Sequence, residues 1–302
     1  MDLVVCSHAV LAHVGLSRDW EVERLEVLAT GHHYGTAPGE DAFSTLLRLD
    51  NVVSVYRNVG PSSRYREDDR FVCPGHFDDV HQIAAWGEGL LVTNTGRNSL
   101  DYVRLRPGGA GSVYVESRRH FFNRHRHDVN HVNSVYPCGT EQVLVLLNNK
   151  GARPSEVAVL AWDPDRGFQR TGTLPLPDLE CHNVFADGDR LFYNASRNGD
   201  FVAMDPAAGR VIRRHRFPGY TKGLAVTRRH VIVGYSDKAE REDRPTSKGF
   251  LAIIDRKSLE LEACVDLNAA EEVPVIGNVN EVRCISEPDD GHGRGTPVPF
   301  PG

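Results

Sequence analysis

The sequence lacks most of the features that give a protein away by inspection. It has no basic stripe and carries a net charge of −6, which argues against nucleic acid as a partner. No apolar run approaches the roughly 20 residues of a membrane helix, so no membrane partner is expected. The stretch 1–15 has no basic leader and carries His8 and His13. It reads as a strand rather than an export signal. No CxxC pair occurs: Cys6, Cys73, Cys138, Cys181, Cys264 and Cys284 are scattered. Scattered cysteines without an export signal predict reduced, mostly buried thiols and a cytoplasmic location. Helical periodicity is missing, which leaves an all-β chain.

What is present is repetition. Short Val- and Ile-rich runs such as Leu90–Asn94, Gln142–Leu147, Arg190–Asn194 and His230–Gly234 are broken by Gly, Asp and Asn, the pattern of strands and turns. The stretch Asp79-Val80-His81-Gln82-Ile83 returns in altered form five more times, around His33, Asn133, His182, Lys222 and Asn280. The spacing is about 50 residues, and the step from Asn280 round through the termini to His33 is of similar length. A repeat of this period that closes on itself predicts a β-propeller. A second repeat agrees. Asp163-Pro164-Asp165, Asp205-Pro206-Ala207 and Asp255-Arg256-Lys257 each have an Asp placed to accept from the backbone of a tight turn. Each repeat then divides into four strands, for example about 180–186, 190–195, 200–204 and 210–217.

Val279–Ile285 reads as an innermost strand with nothing after it, and Asp2–Ser7 as a second strand with nothing before it. Pairing them closes the ring and removes both open edges. The expectation is one six-bladed propeller over residues 1–286 with a Pro/Gly-rich tail, 287–302. A five-bladed alternative stays open, in which Leu46–Val52 is an outer hairpin and residues 1–78 supply a single blade.

The first strand of each blade lies on the central axis, with its early residues at one mouth. The ring there is His33, His81, Asn133, His182, Lys222 and Asn280. Residues two apart share a face, so Gly31, Asp79, His131, Glu180, Tyr220 and Asn278 join it. Two positions the other way stand Gly35, Ile83, Val135, Val184, Leu224 and Val282, which predict a greasy floor. A pocket with convergent polar groups over an apolar floor is the default site for a small-molecule substrate.

Imidazoles at one repeat position, His33, His81 and His182, suit a divalent metal such as Zn, Fe or Cu. Asn133, Asn280 and Asp79 can add oxygen ligands. Glu180 and His131 are candidate general bases. Lys222 and Tyr220 can stabilise developing negative charge. A basic, aromatic run, Arg118–His127, precedes one inner strand and can close over the mouth, or be a solvated connection. Asn94, Asn148 and Asn194 end second strands, so the loops they start should open at the same mouth, bringing Arg97 and Arg197 with them. The charged loop Ser236–Gly249 is a candidate lid.

Asn133-Ser134-Val135, Asn280-Glu281-Val282, His81-Gln82-Ile83 and His182-Asn183-Val184 resemble the inner strands of six-bladed propellers related to gluconolactonase, paraoxonase and strictosidine synthase. Asp79–Thr95 also resembles a bacterial propeller family with a D-x-H-x-I-A strand followed by V-x-N-T. The first resemblance implies Ca in the channel, held by Asn, Asp and Glu, and the opening of lactones or esters. Asn133 and Asn280 match that pattern, whereas His33, His81 and His182 depart from it. The carotenoid oxygenases hold iron by inner-strand His, but this chain is too short for their seven blades. The sequence therefore leads to a metal-dependent enzyme acting on a small molecule at the channel mouth, by hydrolysis or lactone opening. Two alternatives stay open: a redox or lyase reaction at His-bound iron or copper, and a non-catalytic module binding protein or sugar. Substrate and oligomeric state are not set by the sequence.

Overall fold

Val, Ile, Leu and Phe alternate with small and polar residues along 24 short strands, which pair into six antiparallel sheets of four. The structure, a computed structural model, describes residues 1–38, 42–47, 52–60, 64–72, 77–106, 114–124, 127–268 and 275–287. The second blade comprises β4 (His33–Pro38), β5 (Ala42–Leu47), β6 (Val52–Asn58) and β7 (Tyr65–Val72). The third comprises β8 (Val80–Trp86), β9 (Gly89–Asn94), β10 (Ser99–Arg106) and β11 (Tyr114–Phe121). The fourth comprises β12 (Val132–Cys138), β13 (Gln142–Leu147), β14 (Glu156–Asp163) and β15 (Gly167–Pro175). The fifth comprises β16 (Cys181–Asp187), β17 (Arg190–Ala195), β18 (Asp200–Asp205) and β19 (Arg210–Arg216). The sixth comprises β20 (Tyr220–Val226), β21 (His230–Ser236), β22 (Gly249–Asp255) and β23 (Leu261–Asp266). The remaining sheet is made from both ends of the chain: β24 (Val279–Cys284) pairs with β1 (Asp2–Ser7), followed by β2 (Val10–Leu16) and β3 (Val22–Thr30).

The innermost strands touch in a closed cycle, β4, β8, β12, β16, β20, β24 and back to β4. This is a six-bladed propeller sealed by pairing of its two terminal strands, as the repeat predicts. The five-bladed alternative fails because 46–52 connects the second and third strands of a complete blade. The core lies between blades. Leu3 and Val5 of the closing blade pack with Ile232 and Ile253 of the sixth. Leu91 and Leu100 of the third blade pack with Val143 and Val145 of the fourth. Outermost strands such as Arg210–Arg216 are charged and half-exposed, which blunts the edges they present.

The Asp turns form as expected. Asp163 Oδ1 accepts from the amides of Asp165 and Arg166, both at 2.8 Å, and Asp205 and Asp255 repeat the arrangement. Five cysteines are free thiols, while Cys73 lies outside the described residues. The predicted tail falls outside them too, apart from Glu287. Among the described residues no helix is long and apolar enough to cross a membrane.

Candidate functional site

Each inner strand begins with a short irregularity, and that irregularity builds the mouth. The pairing of β4, β8, β12, β16 and β20 with their second strands slips near the third residue. Just before three of these strands, Asp79, His131 and Glu180 hold left-handed backbone, with φ of 52°, 51° and 52°. Left-handed backbone in non-glycine residues is unfavourable by about 1 kcal/mol each and clusters at functional positions. The strain recurs at one repeat position on three adjacent blades.

These residues border a cleft of about 470 Å³, the size of a small-molecule site. The inner strands contribute Tyr34, His81, His182, Tyr220 and Lys222, and the residues just ahead of them contribute Asp79, His131, Glu180 and Asn278. Loops after second strands add His8, Asn148, Lys150, Ser196, Arg197, Arg241 and Arg244, and Asp128 lies just ahead of β12. The cations Lys150, Arg197, Lys222, Arg241 and Arg244 outnumber the carboxylates Asp79, Asp128 and Glu180. In a chain with a net charge of −6 this is a local reversal of sign, and it draws in anions. Asp128 meets Lys150 Nζ at 2.7 Å and His131 Nδ1 at 3.1 Å, and Glu180 meets Arg197 at 3.4 Å.

His81 and His182 are built the same way. His81 Nδ1 lies 2.9 Å from the Asp79 carbonyl and 3.0 Å from Thr95 Oγ1. His182 Nδ1 lies 3.2 Å from the Glu180 carbonyl and 2.8 Å from Ser196 Oγ. Each hydroxyl donates its one proton to a carbonyl of the next blade, Thr95 to Val132 and Ser196 to Thr221. The hydroxyls must therefore accept from the rings, so Nδ1 carries the proton and Nε2 keeps the lone pair. Burial, then the charges of Lys222 and His131, push the His182 imidazole well below its ordinary value. Both effects favour the neutral ring, with its lone pair on Nε2.

Around the mouth from His81, rings follow one another. His131 is 4.7 Å from His81 and Tyr34 is 5.1 Å from it on the other side. His32 is 4.8 Å from Tyr34, and His8 is 3.9 Å from His32. Burial, with His32 and Lys222 nearby, lowers His8 to about 2.

Several expectations are corrected. His33 does not line the cleft; its place is taken by Tyr34. Asn280 Nδ2 donates to the His33 carbonyl as Asn133 Nδ2 donates to that of Cys181. His33 therefore matches Cys181, and the second blade is offset by one residue. Asn133 and Asn280 are buried ties between blades and do not line the cleft. The floor is not greasy. Gln82 Nε2 donates to Glu281 Oε2 at 2.6 Å across the channel, and its Oε1 accepts from Val135 N at 2.6 Å. Arg283 donates to the carbonyls of Leu224 and Thr36 and pairs with Glu281 at 3.5 Å. The slip in pairing breaks strict alternation, so residues such as Gln82 and Glu281 join the channel side.

The start of the basic run lies away from the site. Arg118–Phe121 end an outermost strand, Arg119 grips Asp101, and the Arg118 guanidinium lies 5.7 Å from the Trp162 ring. His125 and Arg126 lie outside the described residues. Asn94 and Asn194 serve as turn and seam ties. Arg197 lines the cleft and Arg97 does not.

The described side chains do not group as a ready metal site. Among the described residues no three His, Cys, Asp or Glu side chains converge as ligands. The third expected imidazole, His33, is elsewhere, and cations crowd the rim.

His8, Tyr34, Asp128, Lys150 and Ser196 are site residues that inner-strand arithmetic misses. A signal existed for two of them: β1 is a second strand, so the turn after it opens at the mouth with His8, and Thr95 and Ser196 each stand 14 positions after their histidine.

No protein-family model and no curated protein matches the chain. Solved structures do. A protein of unknown function from Bacteroides caccae superposes with a TM-score of 0.64 at 14% identity, covering 95% of this chain and 99% of that one. A chain of the nidogen/laminin complex gives 0.59 at 10%, covering 93% and 97%. A candidate 6-phosphogluconolactonase from Bacteroides uniformis gives 0.57 at 8%, covering 87% and 81%. At these identities the likeness is one of fold, and the fold shared is the propeller.

Proposed function

We propose that the channel mouth is the active site of an enzyme that opens a lactone or carboxylic ester in a small molecule. The observation that carries this is His182, whose Nε2 keeps its lone pair because Nδ1 donates to the Glu180 carbonyl and Ser196, in a cleft rimmed by cations. In the proposed reaction His182 Nε2 takes a proton from water as its oxygen bonds to the substrate carbonyl carbon. The carbonyl oxygen becomes an oxyanion, which the Lys222 ammonium and the Tyr220 hydroxyl are candidates to stabilise. Collapse breaks the carbon–oxygen bond to the leaving alkoxide, and His182 returns its proton there. The products are a hydroxy acid from a lactone, or an acid and an alcohol from an ester. Glu180, held by Arg197, and His131, held by Asp128, frame the base rather than replace it. That one structural neighbour carries the name of a candidate lactonase is consistent with this class of substrate, although fold alone is a poor guide to chemistry.

The test is hydrolysis of a panel of lactones and esters by the wild type, His182→Gln and His81→Gln, with metal analysis of the same samples. The reading expects turnover by the metal-free wild type and a loss of 100-fold or more in kcat for His182→Gln. Stoichiometric metal that disappears in either variant would replace general-base catalysis with a metal-dependent reaction. Binding without turnover across the panel would favour a binding module.

A further inference from the structure

One cation of the cleft is built differently from the rest. Arg244 sits on a short 3-10 turn, 244–246, in the long connection between β21 and β22. Its carbonyl accepts from Asn278 N at 2.8 Å and from Ser247 Oγ at 3.0 Å. Ser247 Oγ also reaches Asn278 Oδ1. The backbone of the connection is thereby locked to the start of the closing strand, across the seam between two blades. The guanidinium lies 5.7 Å from the Tyr220 ring centroid. Its Nε is buried, with no hydrogen-bond partner among the described residues. Lys150 and Arg197 have carboxylates within 4 Å, and no such pair forms for Arg244 among the described residues. A desolvated guanidinium donor without a partner is costly, and a planar fork of donors fits an oxyanion in two-point fashion.

We propose that Arg244 is the specificity-determining residue of the cleft, binding a phosphoryl or carboxylate group on the substrate remote from the bond being cleaved. The substrate class is then an anionic lactone or ester, not a neutral one. This rests on the hydrolytic reading above for the word substrate, but the anion subsite stands on Arg244 itself. Its charge bears on both His8 and His182, so an anion seated there is sensed by imidazoles on both flanks.

The experiment uses the full chain with inorganic phosphate and, separately, acetate as probes, followed through the ring signals of His8, His182 and His230. His230 borders a different cleft and serves as the control. Phosphate or acetate is expected to shift His8 and His182 and leave His230 unmoved. Arg244→Gln is expected to weaken that binding ten-fold or more, and Arg244→Lys to recover part of it. The stronger of the two probes names the group. In turnover, Arg244→Gln should raise KM ten-fold for a lactone bearing the anion and less than two-fold for its neutral analogue. Equal binding by wild type and Arg244→Gln, or shifts at His230 as large as at His182, would overturn the proposal. Arg244-dependent phosphate binding without hydrolysis of any lactone or ester would leave the subsite standing and remove the hydrolytic reading. Hydrolysis with no preference for the anionic partner would do the reverse. Should Arg244→Gln fail to fold, the wild-type shifts alone decide.

Discussion

His33 and Tyr34 are neighbours in sequence with different duties. Tyr34 faces the cleft, while the His33 imidazole is buried away from it. Burial lowers the His33 ring to about 4, against the opposing pull of the Thr30 carbonyl and Glu67. The folded state therefore resists protonation that the unfolded chain accepts near 6.5. Stability from this residue is present above about pH 6.5 and is lost as the pH falls to about 4, on the order of 3 kcal/mol. Urea unfolding at a series of pH values should show that slope in the wild type, and His33→Leu should flatten it. The sequence misplaces this residue because in Gly31-His32-His33-Tyr34-Gly35 a histidine matches the repeat one position ahead of Tyr34, which takes the ring position. The choice between them depends on where the strand slips. Gly35 takes φ of 54° at the slip, and alternation of side chains carries no trace of it. His81 and His182 sit in strands with a clearer pattern, and their convergence on the mouth was legible.

At the scale of the element, the start of the inner strand is the unit that makes the site. Its extra residue needs unusual backbone: Gly35, Asn183 and Gly223 hold φ of 54°, 50° and 84° at equivalent positions. A Cβ on Gly35 would stand 2.5 Å from Ile83 N, and one on Gly223 would stand 2.8 Å from a Val282 methyl. Gly209, in an outer turn with φ of 62°, has nothing within 4 Å. Gly209→Ala should therefore cost only the left-handed penalty, about 1 kcal/mol. Gly35→Ala should cost more than 2 kcal/mol in the same thermal melts, because backbone must move as well. The hydroxyls belong to this scale too. Ser196 fixes the His182 tautomer from the next turn, so Ser196→Ala should lower kcat about ten-fold with little change in KM and shift the pH profile. Ser196→Thr should restore both, which a merely structural serine would not require. The task of Thr95 and Ser196 was not legible in the sequence, since a hydroxyl's partner is decided by the neighbouring blade.

For the whole molecule, closure and channel are one problem. The closing strand β24 brings Glu281 and Arg283 into the centre, where they join Gln82 from the third blade and carbonyls of the second and sixth. Glu281 and Arg283 are 1% and 5% exposed. Removing one member of such a buried pair strands the other's charge, so Glu281→Ala should destabilise the protein by about 3 kcal/mol or more. Equilibrium unfolding measures this, and a change below 1 kcal/mol would mean that the plug does not hold the ring together. Six blades and the pairing of chain ends were legible because period and edge strands are written locally. The polar plug was not, because Gln82 and Glu281 stand one position after the ring residues, where strict alternation turns side chains away from the channel.

The account turns on the chemical state of two rings, and nitrogen-15 NMR of the histidine side chains reads that state without any substrate. At pH 7 the account predicts that His81 and His182, assigned through their Asn variants, carry the proton on Nδ1 and a bare Nε2. His182 should stay neutral as the pH is lowered through 6. A proton on Nε2 of both rings, or an ordinary titration of His182 near 6.5, would contradict it.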